Sequence, residues 1–160
     1  MANSFKSYIP EILLADDDRD DCLLFGDALN EAHLIANLTT VRDGQQLLEH
    51  LNKCERLPDV LFLDLNMPRK NGYDCLIEIR QSARLKNLPV IIISTSIESS
   101  IVELLYEKGA QYYLCKPNDY YDLVNTVRHV IGIIIQPGEG KLLMQPSRDK
   151  FLLSPGIVMK

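Results

Sequence analysis

Five short apolar runs recur along the chain, at 11–15, 38–41, 60–64, 89–94 and 111–115. Each ends at a polar residue or at a turn. Between them, apolar positions repeat at helical spacing. Cys22, Leu23, Phe25, Ala28, Leu29 and Ala32 predict a helix over about 18–34, and Leu47, Leu48, Leu51 and Cys54 one over 46–57. Leu76, Ile77 and Ile79 predict a helix over 73–82, and a fourth over 97–108 is stopped by Gly109. Tyr120, Leu123, Val124, Val127, Val130, Ile131 and Ile134 predict a fifth from 119 to about 135. The runs at 60–64 and 89–94 are almost continuously apolar, as in strands buried on both faces. Leu38-Thr39-Thr40-Val41 is shorter and half polar, which suits a sheet edge. Strands alternating with helices imply a parallel sheet covered on both sides. Right-handed crossovers then leave few topologies. The prediction is an α/β, flavodoxin-like (βα)5 doubly wound sheet of order 2-1-3-4-5, spanning 9–135, with its switch point between the first and third strands. Residues 136–160 break the pattern with Pro137-Gly138, Pro146 and Pro155-Gly156. They carry two small apolar clusters, 142–144 and 151–153. The segment is too short for a second domain and reads as a loosely ordered tail. The alternative is an extension packed on the domain or on a partner.

The 160 residues suit one domain with a real core. A formal charge of −5 argues against a nucleic-acid face, which needs a Lys/Arg excess. No two of Cys22, Cys54, Cys75 and Cys115 fall at C-x-x-C spacing and no His lies near enough for a zinc knuckle, so reduced thiols in a cytoplasmic protein are expected. No apolar run is long enough to span a bilayer. His33, His50 and His129 fall within predicted helices and read as solvated.

Ligands of open α/β sheets bind at the carboxyl ends of the strands. Here those ends carry Asp16 and Asp17 (first strand), Asp64 (third), Ser94 (fourth) and Lys116 (fifth). Carboxylates converging near one switch point repel unless a cation is present. A hard divalent ion such as Mg²⁺ suits such a donor set. A metal, an ammonium and a hydroxyl around one carboxylate suit phosphoryl transfer, with Asp64 as nucleophile. Asp18 reads as a helix cap.

These motifs resemble the receiver domain of two-component response regulators. The matching residues are Asp16-Asp17, Asp64-Leu65-Asn66-Met67-Pro68 with Gly72, the run 89–94 ending in Ser94, and Tyr113-Leu114-Cys115-Lys116-Pro117. The stretch Thr39 to Gly44 adds a likeness to the stand-alone receivers found beside phytochrome-like histidine kinases in bacteria. The resemblance implies that Asp64 takes a phosphoryl group from a phosphohistidine. It implies that Asp17 and Asp64 bind Mg²⁺ directly, Asp16 through water and Asn66 through its carbonyl. Lys116 then contacts the phosphoryl group, and Ser94 and Tyr113 form a switch pair. The implied partners are a sensor histidine kinase or phosphotransfer protein and a downstream protein target, with no nucleic acid and no membrane. A homodimer through Ile133–Ile135 and the tail clusters is open. Two features depart from the common pattern: Ser94 stands where many members have Thr, and Thr95 where a smaller residue is frequent. Two rival readings are a non-phosphorylated interaction module with the same fold and a phosphatase. The first gives no reason to hold the whole acid, hydroxyl and lysine set. The second usually needs an acid at position 66, which here is Asn66.

Overall fold

The computed structural model describes residues 8–135 and 144–154. The strands are β1 (Glu11–Ala15), β2 (Asn37–Val41), β3 (Val60–Asp64), β4 (Val90–Ser94), β5 (Tyr112–Cys115) and β6 (Leu152–Leu153). The helices are α1 (Arg19–Glu31), α2 (Gly44–Lys53), α3 (Gly72–Gln81), α4 (Ser99–Glu107), α5 (Tyr120–Ile134) and the single turn α6 (Arg148–Phe151). All strands pair in parallel, in the order β2-β1-β3-β4-β5-β6.

Strand side chains alternate between two cores. Ile12, Leu14, Phe62, Ile91 and Leu114 face α1 and α5. Leu13, Leu61, Leu63, Ile92 and Tyr113 face α2, α3 and α4. Side-chain oxygens start four of the helices: Asp18, Asp43, Asn71 and Asp119 each accept from a backbone N–H in the first turn. The Asp43 cap lets α2 begin two residues before the predicted Gln46.

The departures have local causes. Leu23, expected in the core, is 59% exposed. It lies two residues, about 200° of helix rotation, from the buried Phe25. Tyr120, at the first position of α5, is also exposed. His33 is solvated but not helical. It takes the left-handed conformation (φ 56°) just past α1, while the His33 and Leu34 amides close onto the Asn30 and Leu29 carbonyls.

The larger correction concerns the tail. A sixth strand joins the predicted five, and residues 144–154 are packed rather than loose. Leu152 and Leu153 align with Tyr113 and Leu114 of β5, so a sheet edge that would otherwise expose unpaired peptide groups is covered. Phe151 is 1% exposed, its ring 5.1 Å from that of Tyr106 and 6.4 Å from that of Tyr113. Gln145 donates to the Tyr106 and Ala110 carbonyls, Tyr106 to the Pro146 carbonyl, and Arg148 pairs with Glu103. Of the 142–144 cluster only Met144 lies within the described residues, and it is exposed. Ile133–Ile135 are half-buried.

Candidate functional site

β1 ends at Ala15, so the next two residues leave the sheet at its carboxyl edge, beside the last residue of β3. Asp16 and Asp64 are buried and Asp17 is exposed. One carboxylate oxygen from each lies within 4.8 Å of the others. Lys116 follows β5, and its amide donates to the Ser94 carbonyl at 2.8 Å, tying it to the end of β4. Its Nζ lies 3.1 Å from Asp16 Oδ2, 3.0 Å from Asp21 Oδ2 and 3.7 Å from Asp64 Oδ2.

Burial, opposed by Lys116 and reinforced by Asp16, pushes the Asp64 carboxyl up to about 7. Burial pulls the other way on the Lys116 ammonium. The bond to Asp21 and the charges of Asp16 and Asp64 outweigh it, and Lys116 is held above the usual lysine range. The pocket is therefore short of positive charge. A cluster of oxygen-only donors with one overstretched lysine fits a hard divalent cation.

The loop after β3 is pinned from both ends. Asn66 N–H donates to Asp64 Oδ1 at 3.3 Å, and Gly72 N–H to the Leu65 carbonyl at 3.0 Å. A Cβ on Gly72 would sit 2.2 Å from the Asp64 carbonyl oxygen, so only glycine allows this return. Ser94 is 1% exposed, and its Oγ accepts from Ser96 N–H at 3.1 Å. The fully buried Tyr113 donates its hydroxyl to the Ser96 carbonyl at 2.6 Å. Ser96 thus bridges the two residues read as a switch pair. Thr95 lies exposed between them. Asp18 caps α1, accepting from the Asp20 and Asp21 amides.

The residue missed by sequence reading is Asp21. The signal was its place in the first turn of α1, three residues after the Asp18 cap and beside the carboxyl edge of β1. Nothing in the spacing said that Lys116 would reach that side.

The family of this fold and pocket is also shown by likeness to known proteins. Residues 12–128 match the response regulator receiver domain, and the chain belongs to that family. It is a response regulator, of the kind phosphorylated by sensor histidine kinases, and resembles single-domain members associated with phytochromes. Response regulator Rcp1 of Synechocystis sp. is 33% identical over 126 residues, covering 74% of this chain and 84% of the relative. The phosphorylated cyanobacterial phytochrome response regulator RcpA superposes with a TM-score of 0.76 at 28% identity, over 82% of this chain and 98% of that one. The Mn²⁺-bound form of Rcp1 superposes with a TM-score of 0.72 at 29% identity, over 81% and 97%. Receiver domains bind divalent metal, in keeping with the carboxylate trio here. No described helix is long and apolar enough to cross a membrane.

Proposed function

We propose that Asp64 is the phosphoacceptor of a two-component phosphorelay, working with Mg²⁺, and that Lys116, Ser94 and Tyr113 convert its modification into a changed protein-binding surface. The observation that carries this is the position of Asp64: a buried carboxylate at the end of β3, beside two further acids and 3.7 Å from an ammonium.

An Asp64 oxygen attacks the phosphorus of a kinase phosphohistidine. The new O–P bond forms as the N–P bond breaks, and the electron pair leaves with the imidazole nitrogen, which takes up a proton. Asp16, Asp17, Asp64 and the Asn66 carbonyl would hold Mg²⁺. Once bound, the ion neutralises charge on the transferring phosphoryl oxygens. Lys116 supplies a second positive charge at the same oxygens. The Ser94 hydroxyl, now bonded to the Ser96 amide, turns to the phosphoryl group, and Tyr113 follows behind it. The readout surface is α4, β5 and α5, with residues 9–135 as receiver and 136–160 as an appended segment. The chain catalyses only its own phosphorylation and dephosphorylation, in the cytoplasm.

The test is intact mass after incubation with Mg²⁺ and acetyl phosphate. Wild type is expected to gain one phosphoryl group, and neither Asp64→Asn nor metal-stripped wild type to gain any. Labelling of Asp64→Asn to the wild-type extent would reassign the acceptor.

A further inference from the structure

Lys116 is bound on the wrong side of its pocket. An ammonium has three N–H donors. Asp16 and Asp21 lie within hydrogen-bond distance of Nζ, and Asp64, the residue Lys116 is to serve, lies beyond it at 3.7 Å. The two close carboxylates differ in what else they do. Asp16 belongs to the metal-binding trio, and its Oδ1 accepts from the Asp18 amide at 2.9 Å. Asp21 lies outside that trio. Among the described residues its carboxylate has no side-chain partner but Lys116. Its place is set by the α1 cap, since its amide donates to Asp18 Oδ1 at 3.2 Å. The positive end of the α1 dipole faces that carboxylate.

We infer that Asp21 is a positioning residue that holds Lys116 on the α1 side of the pocket, restraining phosphorylation of Asp64 until the lysine is released or shared. Resting on the phosphoacceptor reading above, this names what regulates that site. When the phosphoryl group arrives, its oxygens compete with Asp21 for the same ammonium. Free energy spent in detaching Lys116 from Asp21 is subtracted from what the lysine contributes to the transition state. Removing the Asp21 charge therefore speeds phosphorylation. A partly exposed ion pair of this kind sets the scale at roughly two- to fivefold.

The experiment measures the second-order rate constant of phosphorylation by acetyl phosphate at saturating Mg²⁺ for wild type, Asp21→Asn, Asp21→Glu and Asp20→Asn. Asp20 is exposed on the same helix turn, and among the described residues its carboxylate makes no hydrogen bond or ion pair, so Asp20→Asn removes an equal charge without touching Lys116. The expected order is Asp21→Asn roughly two- to fivefold faster than wild type, with Asp21→Glu and Asp20→Asn close to wild type. In parallel, the ¹⁵N resonance of the Lys116 ammonium should move in Asp21→Asn and hold in Asp20→Asn. A merely structural role for Asp21 does not move that signal while the fold is intact. Equal rates for Asp21→Asn and wild type, or equal acceleration by Asp20→Asn, overturn the inference and leave the phosphoacceptor reading standing. An unlabelled wild type overturns that reading and the inference with it.

Discussion

Asp64→Asn should make the protein more stable, by an amount that depends on pH. Asp64 is 5% exposed, and its carboxyl is raised from 3.8 to about 7. A group whose pKa is higher folded than unfolded contributes stability in full below the unfolded value. That contribution is lost as pH rises through the folded value. Near pH 4 the wild-type carboxyl is largely protonated in the folded chain, and little separates it from the amide. Above pH 7 the folded protein carries a buried carboxylate that the unfolded chain would hydrate. About three pK units at about 1.4 kcal/mol each set a ceiling of about 4 kcal/mol. Relaxation of the pocket and water entry around the carboxylate bring the expected gain to about 1–3 kcal/mol at pH 8. The asparagine keeps the size of the side chain and an acceptor for the Asn66 amide, while Lys116 keeps Asp16 and Asp21. The assay is urea unfolding of both proteins in chelator, from pH 4 to 8. The gap between them should open with pH. Added Mg²⁺ should close it from the wild-type side, since a ligand at 100 times its Kd adds about 2.7 kcal/mol. A variant less stable than wild type at pH 8, or a gap that does not change with pH, would refute the reasoning.

Glycine substitutions test the loop that frames the site. Gly72→Ala forces a Cβ to within 2.2 Å of the Asp64 carbonyl oxygen. It should cost about 2 kcal/mol or more in unfolding experiments and abolish phosphoacceptance. Gly132→Ala in α5 meets nothing within 4 Å among the described residues and should stabilise by about 0.5–1 kcal/mol, so a loss there would expose a contact outside them. Phe151→Ala removes a buried ring of the kind that costs about 3–5 kcal/mol in a closed core. Here the loss is limited by undocking of residues 144–154, so hydrogen exchange should quicken in β5 and β6 while β1 and β3 keep their protection. Unchanged exchange in β5 would show that the sixth strand is held without its aromatic anchor.

Where the chain builds its centre, the pattern was legible to the residue. β1 and β3 run over the expected five residues each, because a two-sided apolar run bounded by charge has one way to sit in a parallel sheet. The acids, Ser94 and Lys116 were legible for the same reason: once strand order is known, strand ends are neighbours. Leu23 was misplaced because three successive apolar residues, Cys22 to Leu24, do not reveal which one faces inward. The tail was illegible for another reason. Leu152–Leu153 has no period to read, and Phe151 finds Tyr106 and Tyr113 only after the rest of the sheet exists. Asp21 was hidden similarly. First-turn acids are expected in any helix on dipole grounds, and what sets this one apart is a lysine reaching across from β5.

The covered edge changes what a rearrangement at Ser94 has to do. Ser94 Oγ holds the Ser96 amide, the Ser96 carbonyl holds the Tyr113 hydroxyl, and the Tyr113 ring lies against Phe151. Release of Tyr113 would therefore disturb contacts on two sides. Here its hydroxyl bond and its ring contact belong to different elements, the β4–α4 loop and the tail, so it cannot leave one without straining against the other. A contiguous set of contacts is not in itself a signal path. It does fix where the energetic cost falls: any state in which Ser94 gives up the Ser96 amide must either repack Tyr113 within its closed core or loosen Phe151. Were that state to loosen Phe151, docking of residues 144–154 would oppose it, as the proposed hold of Asp21 on Lys116 opposes phosphorylation.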